Sequence, residues 1–161
     1  MKRIILDYTK CTGCRTCEAI CSFVNEKGEF NPMKARIRVV RTVEDQVLHS
    51  LPVFCLQCEE AYCMAVCPAE AISENEFGAR VVNEEKCIGC RLCEMACPVG
   101  AIAVHPDKGV AIKCTLCDGD PNCVKYCYTG ALQYLPAERV GKAKARQKAG
   151  RFMEIVQRGA D

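Results

Sequence analysis

Sixteen cysteines are the residues of this 161-residue chain with the clearest capacity for chemistry. They fall into four groups of four with none left over: Cys11, Cys14, Cys17 and Cys21; Cys55, Cys58, Cys63 and Cys67; Cys87, Cys90, Cys93 and Cys97; Cys114, Cys117, Cys123 and Cys127. The first and third groups read C-x2-C-x2-C-x3-C, and the second and fourth widen the middle gap to four and five residues. Pro68 and Pro98 follow the last Cys of the second and third groups. Three thiolates on one short loop can hold three corners of an iron–sulfur cube. The fourth, on a segment that leads away, ligates the other cube of a pair. Gly13 and Gly89 precede the second Cys of their groups, where φ > 0 is tolerated and backbone N–H groups can approach sulfur. Structural zinc sites usually join two separated Cys pairs, a spacing these quartets fit poorly. The expected cofactors are therefore four [4Fe-4S] clusters, with a zinc-stapled interaction module as the remote alternative.

The elements around the quartets are short. Lys10-Cys-Thr-Gly-Cys-Arg-Thr-Cys-Glu aligns with Lys86-Cys-Ile-Gly-Cys-Arg-Leu-Cys-Glu, so the chain contains an internal repeat. An apolar step of small residues follows each of the last three quartets: Ala69–Ile72, Val99–Ile102 and Thr129–Leu132. Short strands are expected at 79–82 and 110–112. Residues 35–42 alternate apolar and basic side chains over the first half, which predicts a half-exposed strand whose partner runs from Gln46 to Phe54. Pro52 suggests an edge position. The face carrying Arg36, Arg38 and Arg41 is read as solvated, with contact to a partner as the alternative. Residues 137–161 hold seven Lys/Arg and three acids, with Phe152, Ile155 and Val156 at helical spacing. A basic C-terminal helix is expected there, either covering the domain or docking a larger subunit.

Composition narrows the classes further. Without its cysteines the chain has a thin apolar core, so the cofactors must staple the fold. No run of about 18 apolar residues occurs, which excludes direct membrane insertion. The opening Met1-Lys2-Arg3-Ile4-Ile5-Leu6-Asp7 reaches a charge too early for a signal peptide, so a reducing, cytoplasmic location is expected and structural disulfides are not. A net charge of +2 and few aromatics give no basis for nucleic-acid binding. Sixteen thiolates and four oxidised cubes would bring the loaded chain to about −6. Lys10, Arg15, Lys86, Arg91, Lys113 and Lys125 lie beside ligands and are read as offsetting that charge. Neither His49 nor His105 has an acid and a nucleophile beside it in a trustworthy arrangement, so no catalytic residue is assigned.

The four quartets resemble those of the four-cluster ferredoxin-type subunits that accompany dimethyl sulfoxide reductase, formate dehydrogenase, hydrogenases and carbon monoxide dehydrogenase. The likeness covers about residues 1–135. The short chain, the segment Cys114-Thr-Leu-Cys-Asp-Gly-Asp-Pro-Asn-Cys123 and the basic tail are most similar to the small iron–sulfur subunit of tungsten aldehyde oxidoreductases. The resemblance implies an α+β fold of two nested bacterial-ferredoxin-like modules, with a β-hairpin insert and a C-terminal helical tail. The first module would be residues 1–30 plus 108–135 and the second 51–107, with inserted strands at 31–50 and the tail at 136–161.

The resemblance also implies crossed ligation. One cluster would take Cys11, Cys14, Cys17 and Cys127, and its neighbour Cys114, Cys117, Cys123 and Cys21. A third would take Cys55, Cys58, Cys63 and Cys97, and the last Cys87, Cys90, Cys93 and Cys67. Tyr128 stands where the family has Pro after Cys127, which leaves the local backbone less fixed. The implied function is a non-catalytic subunit relaying single electrons to or from a larger catalytic subunit with a tungsten or molybdenum cofactor, in an anaerobic setting. Self-association into a chain or filament is a second expected contact. The alternatives are a free polyferredoxin shuttle and the electron-transfer subunit of a hydrogenase, formate dehydrogenase or carbon monoxide dehydrogenase.

Overall fold

The computed structural model describes residues 1–44, 46–139 and 141. The helical tail expected from 136 onward therefore lies almost wholly outside the described residues. The fold is α+β, built from very short elements. Strand β1 (Lys2–Leu6) opens the chain and pairs antiparallel with β8 (Leu132–Pro136), with Ile4 opposite Tyr134 and Leu6 opposite Leu132. Helix α1 (Thr16–Asn25) is followed by a hairpin of β2 (Ile37–Glu44) and β3 (Val47–Phe54). The interior of the chain forms two small ribbons, β4 (Ile72–Glu74) with β5 (Arg80–Val82) and β6 (Ala103–Val104) with β7 (Ala111–Ile112). Helices α2 (Tyr62–Ala65), α3 (Leu92–Met95) and α4 (Asn122–Lys125) are single turns.

Helix α1 packs on α4 beneath the β1–β8 ribbon, while α2 packs on α3. The first core gathers Ile4, Ile37, Val39, Phe54, Leu116 and Leu132 around Cys17 and Cys123. The second gathers Ile72, Ile102 and Ala111 around Cys93. Each core thus contains sulfur, and the apolar residues alone form only a thin layer.

The inserted hairpin lies two residues further along than the alternation of 35–42 suggested. Alternation holds where Ile37 and Val39 are buried and then lapses, because Val40 and Val43 are exposed. Its partner strand ends at Phe54 because Phe54 enters the first core, opposite Ile37. The arginine face of this hairpin is only partly solvated: Arg41 is exposed, whereas Arg36 and Arg38 are half-buried. The Arg41 guanidinium donates to the Gly13 carbonyl at 2.8 Å, Arg36 pairs with the Asn25 side chain, and Arg15 donates to the Val39 carbonyl at 3.3 Å. The hairpin is thereby clamped over the loop of the first quartet.

Candidate metal centres

The four quartet loops share one backbone device. The residue before the second Cys is left-handed in each: Gly13 at φ +68°, Gln57 at +51°, Gly89 at +67° and Leu116 at +59°. This turn bends the loop so that its sulfurs converge. At Gly89 only glycine fits, because a Cβ would lie 2.2 Å from the Gly109 carbonyl oxygen. Gln57 and Leu116 occupy the same conformation despite its cost to side chains with a Cβ. Burial holds them there: Leu116 sits in the first core, and Gln57 donates to the Cys114 carbonyl at 2.7 Å while accepting from the Arg80 N–H at 2.8 Å. Glycine spacing alone could not reveal these two positions.

Backbone N–H groups point at sulfur throughout. The Arg36 N–H donates to Cys21 Sγ at 3.3 Å, Ala71 to Cys67 at 3.3 Å, Ala101 to Cys97 at 3.3 Å, and Ala111 to Cys87 at 3.3 Å. Those of Gln57 and Leu116 donate to Cys55 and Cys114, each at 3.4 Å, and that of Leu132 to Cys127 at 3.4 Å. Such donors stabilise charge on sulfur and tune a cluster held there.

Three cavities collect the sulfurs. One is lined by Cys55, Cys58, Cys63 and Cys97. The second is lined by Cys21, Cys114, Cys117 and Cys123, with Ile4, Ile37 and Phe54 as its apolar wall. The third is lined by Cys67, Cys87, Cys90 and Cys93, with Ile72 and Val82. Each therefore holds three sulfurs of one quartet and the last sulfur of another. The open space between atoms in them is about 380, 370 and 350 Å³, mouths included, so the three are of one size. In the first quartet, Cys17 lies within electrostatic reach of Cys11 and Cys14. Cys127 approaches that loop through its neighbour: the Tyr128 hydroxyl is 2.8 Å from the Thr12 hydroxyl. Tyr128 thus ties the two loops together where proline could not.

Burial sets the electrostatics of these thiols. Burial pushes Cys17 and Cys114 up to about 12 and raises Cys21, Cys63, Cys93 and Cys123 as well. Cys14, at the surface, is lowered by the hydrogen bond from Thr16. The buried sulfurs are thus neutral until a metal displaces their protons. The sulfurs ring spaces with apolar walls and inward N–H donors, which fits a cube.

The cations expected beside the ligands divide sharply. Lys10, Arg15, Arg91 and Lys125 are exposed and paired with Asp7, Glu18, Glu94 and Asp120, and Lys86 is exposed too. Lys113 alone is buried. His105 is structural: its Nδ1 accepts from the Asp107 and Lys108 N–H groups, which leaves Nε2 to donate to Glu26 at 3.2 Å. His49 is exposed. A larger hollow between β1 and β3, lined by Ile5, Pro52, Leu56 and Val99, has only Arg3 as a charged group and no nucleophile. It can do no chemistry of its own.

Comparison with known proteins agrees with this geometry. Residues 8–24 and 80–103 each match a 4Fe-4S binding domain. The chain is 41% identical over 126 residues to the polyferredoxin-like subunit of aliphatic sulfonate oxidoreductase from Pyrococcus furiosus, covering 78% of this chain and 70% of that one. The chain belongs to the ferredoxin-like electron-transfer family. This ferredoxin-like chain is also 34% identical over 138 residues to the thiosulfate reductase electron transfer subunit PhsB of Salmonella typhi, covering 80% of this chain and 72% of that one. Among solved structures it resembles a chain of the active site complex BamBC of benzoyl coenzyme A reductase, with a TM-score of 0.50, 29% identity, and coverage of 94% of this chain and 91% of that one. The two matched segments contain the first and third quartets, so the chain carries 4Fe-4S sites. No helix among its described residues is long and apolar enough to cross a membrane.

Proposed function

We propose that this chain is the cytoplasmic electron-relay subunit of a larger oxidoreductase, passing single electrons along four [4Fe-4S] clusters. The observation that carries the reading is the lining of the three cavities, three sulfurs from one quartet and one from another. It supports the crossed sets Cys55/Cys58/Cys63/Cys97, Cys114/Cys117/Cys123/Cys21 and Cys87/Cys90/Cys93/Cys67. The remaining Cys11, Cys14, Cys17 and Cys127 form the fourth. The packing of α1 on α4 and of α2 on α3 supports two nested modules, residues 1–30 plus 108–135 and residues 51–107, around the insert at 31–50.

Electrostatic neighbours suggest the order of the relay. Cys17 is near Cys123, Cys114 near Cys55, and Cys63 near Cys93. The first quartet's cluster then sits at one end and the third quartet's at the other. Exposed Cys14 and Cys90 mark those ends as the entry and exit. When bound, the clusters supply one-electron chemistry. The chain holds them at fixed spacing, excludes water with its apolar walls, and aims N–H groups at the sulfurs.

The partner is a catalytic subunit with a tungsten or molybdenum cofactor, best read as a tungsten aldehyde oxidoreductase. The similarity to subunits of other oxidoreductases supports the class of partner. The basic tail, residues 136–161, is the docking segment, and self-association into a filament is a further contact of the same relay. Anaerobic native purification with metal and sulfide analysis tests this reading. About sixteen iron and a larger tungsten-bearing chain are expected, from four cubes of four iron each. Sixteen iron with no companion would identify a free polyferredoxin shuttle instead. Zinc without iron would contradict the reading altogether.

A further inference from the structure

We propose that Lys113 is the built-in counter-ion of the cluster held by Cys55, Cys58, Cys63 and Cys97, and that its charge raises that cluster's reduction potential. The inference rests on the four-cluster reading above. Lys113 follows β7, both of whose residues are buried, and is itself only 2% exposed. Its Nζ donates to the Arg80 carbonyl, and among the described residues it forms no ion pair. A buried ammonium without a counter-charge is costly. It lines the sulfur cavity together with all four cysteines, and a cluster bound there by four thiolates would be anionic.

Two other buried cations, Lys34 and Arg80, each pair with a carboxylate, although the Arg80 Nε has no hydrogen-bond partner among the described residues. Lys34 sits 2.6 Å from Glu29 and 2.7 Å from Asp107. Arg80 also lines the cavity, but it pairs with Glu74 at 3.0 Å and faces the carbonyls of Gln57, Gly78 and Glu59. The three other sites differ in kind. Arg36, beside Cys21, is half-buried and Arg91, beside Cys90, is exposed, while the first quartet has the buried carboxylate of Glu18 next to Cys17. Lys10, Lys86 and Lys113 occupy the same position before the first Cys of their quartets, yet only Lys113 turns inward. A cluster with four thiolates is anionic and gains one more negative charge on reduction. A fixed buried positive charge favours the reduced form. Lys113 acts through its charge.

The test is an anaerobic redox titration, followed by electron paramagnetic resonance, of the native protein and of the Lys113→Met, Lys113→Gln, Lys113→Arg and Lys86→Met variants. The signal of this cluster is the one that Cys58→Ser disturbs. Lys113→Met should lower its equilibrium constant for reduction at least tenfold, about 59 mV for a one-electron couple. Lys113→Arg should restore most of the shift, and Lys86→Met should move no midpoint comparably. Unchanged midpoints in an iron-replete Lys113→Met chain would overturn the proposal. If the neutral variants shed this cluster, iron retention by Lys113→Arg would support the counter-ion role, and its loss there too would overturn it in favour of packing. A native chain lacking the cluster at these four cysteines would instead sink the four-cluster reading itself.

Discussion

Gly89→Ala should empty one cluster site, whereas Gly100→Ala, a chemically identical change, should not. Both glycines are left-handed, at φ +67° and +63°. An alanine at either pays about 1–2 kcal/mol for that conformation. At Gly100 the new methyl meets nothing within 4 Å, so the cost ends there. At Gly89 it would lie 2.2 Å from the Gly109 carbonyl oxygen. That contact is about 1 Å inside normal carbon–oxygen separation, and backbone on both sides must move. The loop that would move presents Cys87 and Cys90, and a shift of that size exceeds the tolerance of about 0.2 Å in metal–ligand distances. Iron and sulfide counts on anaerobically purified protein read the outcome. Gly100→Ala should keep about sixteen iron, and Gly89→Ala should fall towards about twelve, one cube of four iron lost. Equal iron in the two variants would refute the argument that loop position, and not backbone conformation alone, holds the site.

Two further outcomes follow from the packing. Leu116 is fully buried in the first core, so Leu116→Ala should cost about 2–5 kcal/mol and speed cluster bleaching on warming, followed by visible absorption. Lys34 holds the Glu29 and Asp107 carboxyls below their usual range, chiefly through its hydrogen bonds to them. Depressed carboxyl pKa values give stability that is complete above the unfolded values of about 4 and fades as pH falls through the folded ones. Lys34→Met should therefore bleach faster than the native chain at pH about 7, and the difference should shrink below pH about 4. A difference that persisted unchanged in acid would assign the effect of Lys34 to packing.

Much of the site is legible in the order of residues because each quartet is local. Four cysteines within a dozen residues, with glycine before the second, specify a loop whose sulfurs converge, and Gly13 and Gly89 adopt the expected conformation. The same turn at Gln57 and Leu116 was not legible, because tertiary burial there overrides the steric preference. The arginines of 36–41 read as a solvated strand face on alternation alone. Their hydrogen bonds to the first loop and to α1 depend on where the hairpin folds back, which no local pattern encodes. The pairing of β1 with β8 joins opposite ends of the described chain and is equally hidden. Lys113 looked like one of six cations beside ligands. Its burial separates it, and that follows from β7 continuing into the core.

The central claim is that each cluster takes its last ligand from a different quartet, and paired cysteine substitutions test it directly. Cys97→Ser and Cys58→Ser are far apart in sequence but line one cavity, whereas Cys97 and Cys90 belong to one quartet and line different cavities. Electron paramagnetic resonance of the reduced variants should show Cys97→Ser disturbing the same signal as Cys58→Ser and leaving intact the one that Cys90→Ser disturbs. If Cys97→Ser instead disturbs the Cys90 signal, each quartet binds its own cluster and the crossed relay is contradicted.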